Sequence, residues 1–123
     1  MKIAKYLNDN FIMLSGNDDI IVPMMSIGAK GVISVLANIA PKQTAKICNL
    51  CKNNKYAEAA ALANSLLDFA NDLFLETNPI PIKEAMNYCG FNVGWYRQPL
   101  DRMADDTREK LFKEIDKNKE LIF

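Results

Sequence analysis

The sequence contains no histidine among its 123 residues. This absence removes the commonest general base and the commonest metal ligand, so any catalysis must use carboxylates, lysine, tyrosine or backbone groups. Charge of one sign is not in excess either, because 15 acidic residues balance 15 basic ones. A nucleic-acid or anionic-membrane partner is therefore not expected. No apolar run approaches the roughly 20 residues that a membrane-spanning helix needs.

Cysteine is scarce, with three residues in the whole chain. The N-terminal stretch MKIAKYLNDN has neither a continuous apolar run nor a cleavage site of small residues, so it is typical of an amphipathic helix rather than a signal peptide. We therefore expect reduced thiols and a cytoplasmic location. Cys48 and Cys51 have the spacing of half a zinc or redox site, but no histidine or second pair completes it. Buried structural thiols are the favoured interpretation.

Two short apolar runs each lead into a turn of small polar residues. Residues 11–14 (FIML) precede Ser-Gly-Asn-Asp, and residues 32–36 (VISVL) precede Ala-Asn. Continuous apolar residues are typical of strands covered on both faces in a parallel sheet. A helix between two parallel strands makes a βαβ unit, and Asp18 could cap such a helix over residues 19–27, which Pro23 would kink.

Helices are predicted over the rest of the chain. Pro41 suits the first position of a helix that runs to about residue 53. An apolar stripe with helical period predicts one long helix over residues 56–74. Asn78-Pro79 ends that run, and a helix over residues 82–89 is stopped by Gly90. A final helix is marked by Met103, Thr107, Leu111 and Ile115.

Four motifs resemble the family of dihydrodipicolinate synthases, pyruvate-dependent class I aldolases of lysine biosynthesis. They are SGNDD at 15–19, GVISVLAN at 31–38, NPIPIKEAM at 78–86 and RQPL at 97–100. The resemblance covers about residues 2–115. It implies an α/β fold, namely the C-terminal piece of a (β/α)8 TIM barrel. Residues 1–53 would supply the last two β/α units and residues 54–123 a C-terminal helical domain, so the isolated chain would be helix-dominated.

In that family a lysine on the sixth strand forms a Schiff base with pyruvate, and the enamine adds to aspartate semialdehyde on the route to lysine and diaminopimelate. The resemblance matches neither this lysine nor the catalytic tyrosine to any position here. Lys2 and Lys5 lie on a predicted solvated helix face, which does not depress an amine pKa as a Schiff-base lysine requires. We therefore expect a lyase by family whose chain is inactive alone.

The partners that the resemblance implies are pyruvate, the missing N-terminal barrel half and further copies of the chain in a homo-oligomer. No cofactor, metal or catalytic residue is expected in these residues. Without neighbouring strands, we expect the two apolar runs to pair with a second copy or to rearrange.

Two substrate-binding positions carry over from the resemblance. Ile33 matches a residue that contacts bound pyruvate mainly through its backbone, and Gly16 matches a small residue that lines the same pocket. Active sites of this fold lie at the C-terminal ends of the strands, which agrees with both positions. From the residues alone, Ile33 would be ordinary strand core and Gly16 a turn residue that needs positive φ.

Other interpretations stay open. Asn17, Asp18 and Asp19 could form an acid–base or metal site, although a helix cap and first-turn charges explain them more simply. The chain could be a non-catalytic assembly module, with residues 25–27 near subunit contacts as the resemblance implies. It could also belong to another pyruvate-dependent aldolase of the same superfamily.

Two features of the C-terminal part bear on packing. Trp95 and Tyr96 are expected at a packed surface or an interface rather than in base stacking. Ala104 stands where the family usually has a serine or threonine cap, which would weaken the last helix unless Asp105 replaces that cap.

Overall fold

The computed structural model describes residues 2–122, and its regular structure there is helical. Two short 3-10 turns cover Ile3–Tyr6 and Leu36–Asn38. The α-helices are α1 (Ile21–Ser26), α2 (Pro41–Lys52), α3 (Tyr56–Ser65), α4 (Leu67–Asp72), α5 (Ile80–Tyr88), α6 (Asp105–Lys117) and α7 (Lys119–Ile122). The longest, α6, has 13 residues. Within residues 2–122 no helix is both long and apolar enough to cross a membrane.

The two apolar runs lie side by side in parallel. The Ser15 amide donates to the Gly31 carbonyl at 2.9 Å, and the Ser15 carbonyl accepts from the Ile33 amide at 2.9 Å. The Lys30 amide donates to the Met13 carbonyl at 2.8 Å. In the described part of the chain only one parallel bridge, Ser15 with Val32, results, so the prediction of two strands is wrong in extent. Each run has a partner on one side only, and few ladder bonds can form.

The side chains of the first run alternate between two environments. Met13 and Ser15 are buried, whereas Ile12 and Leu14 are 56% and 40% exposed. This period of two is that of extended backbone, in which successive side chains point to opposite faces. One face joins the core, and the other is open. Among residues 2–122 the second face is uncovered, as the expected lack of neighbouring strands implies.

The core is made by the helices that follow. α2 packs against α1 and α3, and α6 packs against α4 and α5. α2 begins at Pro41, as predicted, because proline lacks the amide that a first helical residue would leave unpaired anyway. The apolar residues that these helices bury include Ile47, Cys51, Ala59, Phe69, Ala85, Leu111 and Ile115.

The long helix predicted over residues 56–74 is instead two helices. α3 ends at Ser65, and Leu66 (φ −107°, ψ 1°) separates it from α4. The Ser65 hydroxyl donates to the Leu62 carbonyl at 2.8 Å, a local bond that competes with the helical ladder. Leu66 and Phe69 are both fully buried. The apolar stripe continues across the break, so periodicity alone does not reveal it.

The other predicted boundaries are close to those observed. α5 begins at Ile80, two residues earlier than predicted, and Gly90 follows its end with φ 86°. Pro23 lies inside α1, which begins at Ile21 without a side-chain cap. The prediction that Asp18 caps this helix is therefore wrong. Met25 on α1 is buried in the chain's own core, whereas Ser26 is exposed and Ile27 is half-buried, so the subunit contact expected near residues 25–27 stays a prediction.

The start of α6 is held from outside the helix. Ala104 is its N-cap and supplies no side-chain bond. Asp105 does not replace the cap, because its carboxylate lies 2.7 Å from the Arg108 guanidinium. Glu76 instead accepts hydrogen bonds from the Ala104 amide, at 2.9 Å, and from the Thr107 hydroxyl. A carboxylate at a helix N-terminus is favoured by the helix dipole.

Candidate functional site

Ser15 organises the loop that follows the first run. Its side chain is fully buried, and its hydroxyl donates to the Asn17 carbonyl at 2.8 Å and accepts from the Asn17 amide at 3.3 Å. Its backbone makes both hydrogen bonds of the parallel bridge. Ser15 thus shapes the turn and helps to fix the second run beside the first.

Gly16 comes directly after this anchor and is exposed. A Cβ added there would meet no atom within 4 Å, and its φ is not in the left-handed region. The prediction that this glycine serves a turn with positive φ is therefore wrong. The chain itself does not require a glycine at this position.

Ile33 is 69% exposed, so the alternative interpretation of it as strand core is wrong. Its amide is bonded to the Ser15 carbonyl, and its own carbonyl has no hydrogen-bond partner among residues 2–122. Because Ser15 precedes Gly16, this bond brings the two predicted site residues to the same end of the parallel pair. Whether they bind pyruvate stays a prediction.

Asp18 joins the two loops at this end. The residue is 8% exposed, and its carboxylate accepts hydrogen bonds from the Val35 and Leu36 amides, each at 3.0 Å, and from the Ser34 hydroxyl. The Ser34 oxygen in turn accepts from the Ala37 amide at 2.8 Å. Asp18 therefore caps the 3-10 turn after the second run. The sequence signal that could have indicated this is a hydroxyl, Ser34, within an otherwise apolar run.

Asn17, Asp18 and Asp19 do not form a carboxylate pair. Asp18 is committed to the three donors just described, while Asp19 is exposed. A groove of about 380 Å³ runs between this loop and α4, lined by Asn17, Asp18, Asp19, Ala70, Asn71 and Phe74. Neither Gly16 nor Ile33 lines it. No group of three potential metal ligands occurs in the part of the chain described.

The three cysteines are free thiols. Cys51 is buried, and Cys48 and Cys89 are half-buried. Burial raises the pKa of each thiol, because the thiolate is penalised away from water. A raised thiol pKa lowers reactivity and is typical of structural cysteines.

Trp95 and Tyr96 occupy different environments. Tyr96 is buried, and its hydroxyl donates to a Glu84 carboxylate oxygen at 2.7 Å. Burial, and then this bond, raises the pKa of Tyr96 well above its usual range. The Lys83 ammonium lies 5.6 Å from the Tyr96 ring centroid and donates to the Trp95 carbonyl at 2.6 Å. Trp95 is 64% exposed. Packing explains Tyr96 but not Trp95.

A family model, sequence relatives and solved structures that match this chain belong to one family. A model of the dihydrodipicolinate synthetase family matches residues 1–118. The 4-hydroxy-tetrahydrodipicolinate synthase of Methanosphaera stadtmanae is 45% identical over 119 residues, which are 97% of this chain and 40% of that protein. The dihydrodipicolinate synthase of Aquifex aeolicus has a structure that matches 99% of this chain and 41% of its own, with a TM-score of 0.92 and 35% identity.

A further solved structure is similar in the same way. The chloride-inhibited dihydrodipicolinate synthase of Acinetobacter baumannii, complexed with pyruvate, has a TM-score of 0.91 and 34% identity. It matches 99% of this chain and 41% of its own. The chain thus spans about 40% of the length of these relatives, and the part it matches is their C-terminal portion.

Proposed function

The chain belongs to the dihydrodipicolinate synthetase family, and from this membership we propose that it forms one wall of the pyruvate site in a 4-hydroxy-tetrahydrodipicolinate synthase. Its fold is the C-terminal piece of a TIM barrel followed by helices. In the proposed reaction a lysine amine forms a Schiff base with pyruvate, and the enamine adds to aspartate semialdehyde on the route to lysine and diaminopimelate.

The observation that carries the proposal is the open face of the parallel pair. Ile12, Leu14 and Ile33 are exposed. In the described part of the chain the backbone amides and carbonyls of Leu14 and Val32 also have no hydrogen-bond partners. Apolar side chains and unpaired backbone on adjacent segments are what strands present when their neighbours are absent. We propose that the earlier β/α units of the barrel cover this face.

The contacts with pyruvate follow from which groups are already occupied. The Ile33 amide is bonded to Ser15 and is not free to bind the pyruvate carboxylate. The Ile33 carbonyl is an acceptor. Once the earlier β/α units cover the site, it would accept a hydrogen bond from a hydroxyl or from a protonated amine such as that of the Schiff-base lysine. The exposed Ile33 side chain would add a minor apolar contact to the one made by its backbone, and the open space at Gly16 would leave room for the ligand.

The nucleophile would come from the rest of the barrel. A lysine reacts with a carbonyl when a desolvated site depresses its pKa, and Lys2 and Lys5 are both exposed. The part played by this chain is to exclude water from the pocket and to order its rim. The reaction would need no cofactor and would take place in the cytoplasm. The active assembly would be an oligomer in which each copy of this chain is completed by an N-terminal barrel half.

We also propose the division of the chain at residues 53 and 54. α1 and α2 would belong to the last two barrel units, and α3 to α7 to the helical domain. The end of α2 at Lys52 and the start of α3 at Tyr56 support a boundary in the connection between them.

The test combines this chain with the N-terminal part of the Methanosphaera stadtmanae relative. The mixture is incubated with pyruvate, reduced with borohydride and examined by intact mass, and turnover is measured with aspartate semialdehyde. We expect turnover in the mixture. In that mixture the pyruvate adduct should form on the N-terminal part and not on this chain. Each part by itself is the control and should give no turnover.

Three outcomes would change the conclusion. An adduct on this chain would place the nucleophile here and overturn the assignment. Stable association without turnover would favour the assembly module. Turnover with a sugar aldehyde instead of aspartate semialdehyde would favour another aldolase of the superfamily.

A further inference from the structure

We propose that Asp18 is a positioning residue that sets the place of Ile33 relative to Gly16, and so determines how well the site binds the 2-oxo acid. This inference rests on the proposed function, since it concerns the same two residues. Asp18 itself would contact neither pyruvate nor the lysine of the Schiff base. It acts through the backbone of the segment that begins with Ser34.

Two independent sets of hydrogen bonds define this end of the parallel pair. Ser15 bonds the Ile33 amide and so fixes the side of Ile33 that faces the first run. Ser34, the residue after Ile33, donates its hydroxyl to one oxygen of the Asp18 carboxylate. The amides of Val35 and Leu36 donate to the other oxygen. The peptide that carries the Ile33 carbonyl therefore lies between two anchors. Both anchors belong to the loop that contains Gly16.

The three donors use both oxygens of the carboxylate. Both amides donate to Oδ2, and the Ser34 hydroxyl donates to Oδ1. Asparagine has one acceptor oxygen and an NH₂ group, so it cannot accept on both sides. The single amide oxygen could still accept from the Val35 and Leu36 amides, but only as a neutral acceptor. The Ser34 hydroxyl, next to the Ile33 peptide, would lose the oxygen to which it donates.

Steady-state kinetics of the active assembly test the inference. We expect Asp18→Asn to raise KM for pyruvate at least about tenfold, since small displacements at a site have large effects on function. KM for aspartate semialdehyde should change much less. Ser34→Ala removes one of the three bonds and should give a smaller rise in the same constant. Asp19→Asn is the matched control in the same loop and should leave KM unchanged.

A merely structural role would give a different result. It would lower the amount of active enzyme, and with it kcat, while KM for pyruvate stays unchanged. That outcome, or an equal effect of Asp19→Asn, would overturn the inference.

A wild-type assembly without turnover would count against the proposed function. The effect of Asp18 on the position of Ile33 would then be measured on the isolated chain by amide hydrogen exchange. Faster exchange of the Val35 and Leu36 amides in Asp18→Asn, with a shifted Ile33 amide resonance, would support the placement. An unchanged Ile33 resonance would overturn it.

Discussion

Glu76 accepts a hydrogen bond from the Ala104 amide at 2.9 Å, although 28 residues separate the two in sequence. The same carboxylate oxygen accepts from the Thr107 hydroxyl. We expect Glu76→Ala to lower the free energy of unfolding by about 1–3 kcal/mol, because it removes a charged acceptor of two donors at a helix start. Urea denaturation measures the change. Glu120→Ala, an exposed position, is the control, and equal losses in both variants would contradict the role of Glu76.

Ala104→Ser should stabilise the chain. Ala104 has the extended backbone of an N-cap (φ −61°, ψ 149°) but no side-chain acceptor for the first amides of α6. A serine oxygen there would supply one and raise the free energy of unfolding by about 0.5–1 kcal/mol. Ala61→Ser, at an exposed position inside α3, should instead lower it. Thermal unfolding of both variants measures the two changes. If Ala104→Ser lowers the free energy of unfolding as Ala61→Ser does, Glu76 already fulfils the capping role.

Two glycines should respond differently to alanine. Gly28 has φ 107°, and a Cβ there would lie 2.9 Å from Leu7 Cδ1, so Gly28→Ala should lower the free energy of unfolding by about 1–3 kcal/mol. Gly16→Ala should leave folding unchanged, because its Cβ meets nothing within 4 Å. If Gly16 lines the pyruvate site, the same variant should weaken pyruvate binding in the assembly. Normal binding by Gly16→Ala would remove this residue from the proposed site.

The raised pKa of Tyr96 predicts a loss of stability in alkali. The folded chain holds the Tyr96 proton more tightly than the unfolded chain, whose tyrosine titrates near 10.0. The contribution to the free energy of unfolding is therefore complete below that pH and decreases as the pH rises above it. Tyr96→Phe should make the alkaline decrease less steep. Tyr6→Phe, at an exposed side chain, should not, and identical slopes in wild type and Tyr96→Phe would refute the prediction.

Ile12→Lys should separate folding from association. Ile12 is 56% exposed, so a lysine there should leave the unfolding midpoint of the isolated chain unchanged. In the mixture with the N-terminal part it would place a charge against an apolar surface, and association should fall more than about tenfold. Ile3→Lys, at a position 58% exposed outside the parallel pair, is the matched control. Equal association by both variants would show that the open face is not the contact surface.

Local rules predict the parts of this fold that local chemistry determines. The helix start at Pro41 and the stop at Gly90 follow from backbone properties of single residues, and the structure has both. The family and the C-terminal portion also follow from short motifs in the sequence, and the comparisons confirm them. The break at Leu66 could not be predicted, because apolar periodicity is the same on both sides of it.

Hydrogen bonds between residues that are distant in sequence could not be predicted. Asp18 precedes a helix and has the chemistry of its cap, yet its donors lie on another segment. Ala104 lacks a cap of its own, and Glu76 supplies the missing acceptor from 28 residues away. Ile33 lies in an apolar run that is typical of a buried strand, but it is exposed here because no neighbouring strand within the described residues covers it. Each of these outcomes depends on tertiary placement, which no local pattern encodes.

The bond from the Val35 amide to Asp18 closes a loop across 17 residues within the chain itself. The conformational entropy of ordering that end of the parallel pair would thus be lost when this chain folds by itself. Docking of the remaining units would then resemble the meeting of two preformed surfaces more than coupled folding and binding. An association rate insensitive to mild denaturant is the kinetic signature of such a preorganised half-site.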